Sequence, residues 1–211
     1  MIPRAAIRLP LRKKRPSGLP VAVAVTGGIG AGKSEALRAF ERHGAAVISS
    51  DEIVHELLRS DEEVRAAVRD RFGERAFDPD GAVDRARIAE IVFADERELD
   101  WLERLLHPRV VAAYLGWREE LARLPEPPAV CVTEVPLLYE VGGEGRFDAV
   151  VAVTASPEVR LSRQVRPLQD RERRLIPDEE KLARADFAYV NNGALEELDR
   201  FAAGVIEKLR R

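Results

Sequence analysis

Four residues stand at a spacing that suits a polyphosphate. Gly27, Gly32, Lys33 and Ser34 fit the pattern G-x-x-x-x-G-K-[ST] inside "VTGGIGAGKS". Glycines let the backbone turn successive N–H groups inward around phosphate oxygens. A helix opening near Gly32 adds its positive end. Lys33 then supplies a compact charge for β- and γ-phosphates, and the Ser34 hydroxyl a ligand for Mg²⁺. The chain has five lysines against 29 arginines, so a lysine placed here is informative. An ammonium fits a cradle that a guanidinium fork does not. A mere glycine-rich turn needs neither the Lys-Ser pair nor a strand before it and a helix after it. The stretch predicts a bound nucleoside triphosphate.

Two carboxylates follow at strand ends. Asp51 closes the run "VISSD", at a carboxyl end of the expected sheet, where doubly wound folds take their ligands. A carboxylate there is placed to accept a hydroxyl proton as that oxygen attacks a γ-phosphoryl group. The residues alone leave a second reading open: Ser49 and Glu52 fit a capping box, with Asp51 an ordinary acid of a first helical turn. Glu134 stands at the end of the third expected strand, in "AVCVTEV", the place from which an acid holds Mg²⁺ through water. His55, one turn beyond Asp51, either shares that cleft or is a solvated helix position. A GTP-driven switch is excluded on composition. It needs an N-K-x-D base reader, and the two asparagines, Asn191 and Asn192, are not followed by lysine.

The elements that must position these groups are legible as five β-rich runs at 21–26, 45–49, 129–135, 148–154 and 186–190. Their hydrophobicity is continuous rather than alternating, as in parallel strands covered on both faces. Helical patterns fill the gaps, so the expectation is an α/β fold with a doubly wound, five-stranded parallel sheet. Between the second and third runs lie 79 residues, far more than a crossover requires. Within that gap "VDRARIAEIVF" is amphipathic, with Asp84 available as a cap. "ERELDWLERLL" ends at His107-Pro108, where the proline is expected to open a new helix. Residues 52–122 are therefore read as an inserted helical subdomain, within a domain spanning 21–211.

With 45% hydrophobic and 34% charged residues, the chain has material for a sizeable core and no apolar run long enough to span a membrane. Its lone cysteine, Cys131, excludes an internal disulfide and is expected to be a buried small hydrophobe, which fits a reducing, cytoplasmic setting. Residues 1–20 carry six basic side chains and no acid, leaving a balance of −9 on the rest. Such a body is a poor nucleic-acid surface. The tail has no secretory-type apolar stretch and is expected to lie outside the fold as a disordered extension, or to act as a weak anion-binding arm.

Taken in order, "VTGGIGAGKS", "VISSDEIVHEL", Phe72-Gly73, "DGAVDRARIAEIVF", "LLHPRVV", "EVPLLYE" and "DEEKLARADFAYVNNGALEEL" resemble the dephospho-CoA kinase family, over about residues 20–211. The first string is generic to P-loop NTPases; the combination is specific. The resemblance implies a P-loop sheet, a helical substrate-binding insertion and a lid at 157–177. It implies transfer of the ATP γ-phosphoryl group to the ribose 3′-hydroxyl of 3′-dephospho-CoA, with Mg²⁺. On it, Asp51 becomes the base, with Lys33 and Arg163 as further catalytic groups. Gly28, Ile29, Gly30, Ala31, Gly32, Lys33, Ser34, Glu35 and Asn191 become ATP-site residues. Arg85, His107 and Leu137 join Asp51 at the acceptor, and Ser34 and Glu134 hold the metal.

Five departures accompany the match. Ser49 stands where the family has the first acid of a D-A-D string, and Glu134 where it usually has Asp. Glu35 replaces a common Thr. In "RLSRQVRPLQDRERRLIP" the second lid arginine of the family falls on Pro167, with Arg166 one place early, and a family glutamine is Leu175. The rival readings are another metabolite kinase on this scaffold and a nucleotide-binding regulator without phosphotransfer.

Overall fold

The computed structural model describes residues 5–7, 18–163 and 175–210. The chain divides into two compact units, one of Met1–Ser49 with Trp117–Arg211, the other Ser50–Gly116.

The first unit is built on a sheet of β1 (Ala5–Ile7), β2 (Val21–Thr26), β3 (Ala46–Ser49), β4 (Val130–Glu134), β5 (Ala149–Thr154) and β6 (Phe187–Val190). The order is β1-β6-β5-β2-β4-β3. β2 to β6 are mutually parallel and coincide with the five apolar runs to within a residue or so. Val21, Val23, Val25, Val151 and Val153 pack on one face with Phe40 of helix α1 (Lys33–Arg42) and with Leu198, Ala202 and Ile206 of helix α8 (Leu195–Leu209). The alternate residues Ala22, Ala24, Cys131, Val150 and Ala152 are buried as well, so both faces of these strands are covered. That is the physical source of the unbroken apolar runs. One expectation is corrected at the sheet edge. Ala5–Ile7, in the tail read as lying outside the fold, pair antiparallel with β6 and add a sixth strand.

A buried brace sets the entry to the sheet. Arg118 donates to the Pro20 carbonyl through Nε and Nη2 at 2.9 and 2.7 Å, and Nη2 meets Asp148 Oδ2 at 2.5 Å. The same Asp148 oxygen accepts the Ala22 N–H at 2.8 Å. The starts of β2 and β5 are thereby locked together.

The second unit is helical. It holds α2 (Ser50–Ser60), α3 (Glu62–Phe72), α4 (Arg85–Ala94) and most of α5 (Glu96–Ala122). Leu58, Val64, Val68, Phe72, Ile88, Val92, Leu102 and Leu106 form its core. Asp84 caps α4 as expected, accepting from the Ala86 and Arg87 amides at 3.0 and 3.2 Å. The proline expectation is corrected: α5 runs unbroken through Pro108 for 27 residues. Pro108 has no N–H for the Arg104 carbonyl. In the same turn the Arg109 guanidinium donates to Leu105 O at 3.0 Å. The buried series Leu102, Leu106, Val110 and Tyr114, one residue every four, holds the helix across the defect. The string "DRFG" at 70–73 closes α3 at Gly73, and "DPDG" at 78–81 forms a turn around Asp78.

Of the expected lid, helix α6 (Pro157–Arg163) and residues 175–177 are described; Arg166 and Pro167 lie outside the described residues. Helix α7 (Asp178–Arg184) follows. Buried Lys181 pairs with Glu140 at 2.7 Å, and Arg184 pairs with Glu144 at 2.6 Å while lying over the Tyr139 ring. Both acids follow β4, so α7 is fastened to the "PLLYE" segment.

Candidate active site

β2 ends at Thr26, and the chain must turn at once to start α1 at Lys33. Two glycines make that turn possible. Gly27 passes so close to the Val153 carbonyl of β5 that a Cβ would overlap it. Gly32, at φ 89°, is the left-handed residue from which α1 springs. Ala36 N–H already bonds the Gly32 carbonyl at 3.0 Å, so the amides of the first turn point back along the axis into the loop. The loop stands at the carboxyl ends of β2 and β5. From there the chain leaves β2 toward β3 on one side and β5 toward β6 on the other, the switch point at which such sheets bind ligands.

Lys33 Nζ donates to Gly28 O at 3.1 Å and stands 4.0 Å from Glu134 Oε1. Its side chain is 11% exposed and that of Glu134 7%. A low-dielectric setting strengthens the field of both charges, and each offsets part of the other's desolvation. Glu134 is the last residue of β4 and is in register with Val25 of β2 and Ser49 of β3. Ser34, in the first turn of α1, is exposed. The Glu35 carboxylate turns along the helix to Arg38 and Arg42, at 3.0 and 3.4 Å, away from the loop.

The loop is clasped from outside by side chains of the same unit. Asn191 is 4% exposed; its Nδ2 donates to Ala31 O at 3.0 Å, while its own N–H bonds Thr154 O at 2.7 Å. Arg163 donates to Gly30 O and Ala31 O, each at 3.4 Å, and to Asn191 O at 3.2 Å. Arg160 Nε donates to Ile29 O at 2.8 Å. The carbonyls of residues 29–31 thus face Arg160, Arg163 and Asn191, while Gly28 O accepts from Lys33 and, at 3.3 Å, from the Ala31 N–H. Leu137, half-buried, lies in the segment after β4.

The remaining expected residues belong to the helical unit. Asp51 is the second residue of α2, immediately after β3. The helix begins at Ser50, and Asp51 and His55 are exposed. Arg85 is the exposed first residue of α4, and His107 is half-buried within α5. Arg160, Asp178 and Thr154, which link to one another and to the loop, carry no sequence signal as a group. Arg160 is one of six arginines in "RLSRQVRPLQDRERRLIP", and Asp178 heads the family-like string "DEEKLARADFAYVNNGALEEL" with no role attached to it.

Near the sheet centre, burial pushes the Cys131 thiol up to about 11, with the Arg118 charge opposing and Asp148 adding to the shift. Cys131 is packing, not chemistry.

A switch-point loop closed by Lys-Ser, backed by a buried carboxylate on the adjacent strand, defines a P-loop kinase. The sequence model described as "CoaE: Dephospho-CoA kinase" matches residues 21–197. The chain belongs to the dephospho-CoA kinase family. A relative named dephospho-CoA kinase from Streptomyces avermitilis is 41% identical over 185 residues, covering 84% of this chain and 88% of the relative. Another of that name, from Protochlamydia amoebophila, is 36% identical, covering 89% and 96%. Among solved structures, TT1252 from Thermus thermophilus matches with a TM-score of 0.73 at 33% identity, covering 90% of this chain and 98% of that one. The dephospho-CoA kinase from Campylobacter jejuni matches at 0.66 and 26%, covering 90% and 96%. Among the described residues, no helix is long and apolar enough to cross a membrane.

Proposed function

We propose that this chain transfers the γ-phosphoryl group of ATP to the ribose 3′-hydroxyl of 3′-dephospho-CoA, giving coenzyme A and ADP. The observation that carries the reading is the loop of residues 27–34, with Lys33 held beside buried Glu134 at the head of α1. The nature of the acceptor rests on the family.

In-line transfer leaves little covalent work to the protein, so rate comes from placement and charge. The N–H groups of residues 28–35 and the Lys33 ammonium receive the β- and γ-phosphates. The 3′-oxygen forms a bond to the γ-phosphorus as the bond to the bridging oxygen breaks. Asp51 takes the hydroxyl proton, and ADP carries away the electron pair. Asp51 is the second residue of a helix that starts directly after β3, whose last residue is in register with Glu134. Arg163, already at the loop, stabilises charge on the transferring group. His107, Arg85 and Leu137 serve the acceptor side.

Mg²⁺ suits the donors present. The Ser34 hydroxyl and the Glu134 carboxylate are hard oxygen ligands, few in number, as fits an ion that keeps much of its water. When bound, it neutralises negative charge on the β- and γ-oxygens.

Initial rates with ATP and a panel of ribose-bearing acceptors test the proposal. Turnover confined to 3′-dephospho-CoA supports it. Equal or better turnover with a free nucleoside or a sugar refutes the acceptor assignment.

A further inference from the structure

The loop that receives the triphosphate has a carboxylate against its outer side. Asp178, first residue of α7, lies so close to Gly28 that a Cβ there would sit 2.8 Å from its Oδ1. By charge alone, an acid beside a phosphate-binding loop weakens ATP binding. Its partners show what else it does. Asp178 Oδ2 accepts from the Thr154 hydroxyl at 2.6 Å and from Arg160 Nη1 at 3.1 Å. Arg160 in turn donates through Nε to Ile29 O at 2.8 Å. The Arg160 and Asp178 side chains are 19% and 21% exposed, so the pair is largely withdrawn from solvent.

These contacts form one chain: the end of β5, the Asp178 carboxylate, the Arg160 guanidinium and the Ile29 carbonyl. A planar fork with one edge on a carboxylate and Nε on a carbonyl has a fixed orientation. Thr154 supplies the fixed point, because it closes the rigid strand β5. The Ile29 peptide is thereby held with its oxygen outward toward Arg160. On its far side the Gly30 and Ala31 carbonyls are held by Arg163 and Asn191, and the Ala31 N–H closes a turn on Gly28 O at 3.3 Å, so the loop backbone is fixed on both sides of Ile29.

We infer that Asp178 is a positioning residue for phosphoryl transfer, acting through Arg160 to hold the Ile29 carbonyl outward and so keep the loop amides in their phosphate-receiving arrangement. The inference rests on the kinase reading above and deepens it. It also makes a prediction of opposite sign to simple electrostatics. Removing Asp178 takes a negative charge away from the triphosphate side and so makes the local field more positive. If charge were all that mattered, ATP would bind more tightly. If position matters more, ATP binds more weakly despite the added positive charge.

Steady-state kinetics on the full chain decide between these. Asp178→Ala and Asp178→Asn are expected to raise KM for ATP about tenfold, as befits loss of a charge-assisted bond. KM for the acceptor is expected to stay unchanged, kcat to fall less than threefold, and Asp178→Glu to recover most of the loss. Asp178→Ala combined with Arg160→Ala should be no worse than the poorer single variant, since both break one chain. Thermal melts keep the reading clean: Asp178→Asn retains the shape but loses the charge and one acceptor oxygen, so a folded variant is available if the alanine form fails. A KM for ATP that is unchanged or lowered, or additive losses in the double variant, overturns the inference. Failure of the unaltered chain to take up ATP in a calorimetric titration sinks the kinase reading itself. Normal uptake there, matched by Asp178→Asn, overturns the positioning role alone.

Discussion

Gly32→Ala probes the loop where geometry allows a magnitude to be worked out. Gly32 sits at φ 89°, and an alanine in the left-handed region costs about 1–2 kcal/mol. Its new Cβ would overlap the Asn191 side-chain amide and come within 3.2 Å of Arg163 Nη1. Asn191 is not a yielding neighbour, because it is buried and spends Nδ2 on Ala31 O. Moving it breaks that bond inside the protein, worth about 1–3 kcal/mol. Together these come to about 2–5 kcal/mol, or about 30-fold to a few thousand-fold in affinity at roughly 1.4 kcal/mol per decade. The loop relaxes this strain by unwinding locally, and ATP must then restore the strained form. The penalty should therefore fall on ATP affinity, with the melting temperature moved by only a few degrees. Calorimetric titration with Mg-ATP, paired with a circular-dichroism melt, reads both. A variant that binds ATP within threefold of the parent would refute the argument that this position must be glycine for phosphate binding.

Asp51→Asn should cut kcat by about 10²-fold or more while ATP uptake survives, the usual scale for a lost general base; near-normal turnover would reduce Asp51 to a helix-start acid. Lys33→Ala should weaken ATP binding and abolish most turnover, and an unaffected rate would contradict the phosphate-loop assignment. Cys131, pushed up to about 11, stays a neutral thiol through the physiological range. Native protein at about pH 8 should therefore resist iodoacetamide and denatured protein react, as mass spectrometry would show. The sign for stability follows: this thiol favours the fold below its unfolded value and loses that contribution as pH rises toward about 11. Arg118→Leu leaves Asp148 buried without its cation and should lower stability by about 3–5 kcal/mol in urea titrations. A loss below about 1 kcal/mol would show the brace to be dispensable.

The parts of this protein legible in its sequence are those set by local composition. Strands covered on both faces must be apolar at every position, and so the five parallel strands announce themselves. The phosphate loop is legible because sharp backbone geometry demands glycine at Gly27 and Gly32 and chemistry demands Lys33 and Ser34. Asp84 is legible because a cap acts on amides two and three residues away. What escapes is decided by partners far along the chain. β1 is three residues, Ala-Ala-Ile, and owes its pairing to the edge of β6. Pro108 reads as a helix boundary until the buried stripe from Leu102 to Tyr114 outweighs one missing hydrogen bond. Thr154, Arg160 and Asp178 meet across up to 24 residues, and no spacing rule links them.

The central claim is that residues 27–34 deliver the γ-phosphoryl group of ATP to a ribose hydroxyl. Phosphorus NMR of the purified chain with Mg-ATP and 3′-dephospho-CoA tests it most directly. The account predicts ADP and a new 3′-phosphomonoester resonance rising in equal amounts, and neither forming in Lys33→Ala. ADP accompanied only by inorganic phosphate, or no ADP at all from well-folded protein, would contradict it.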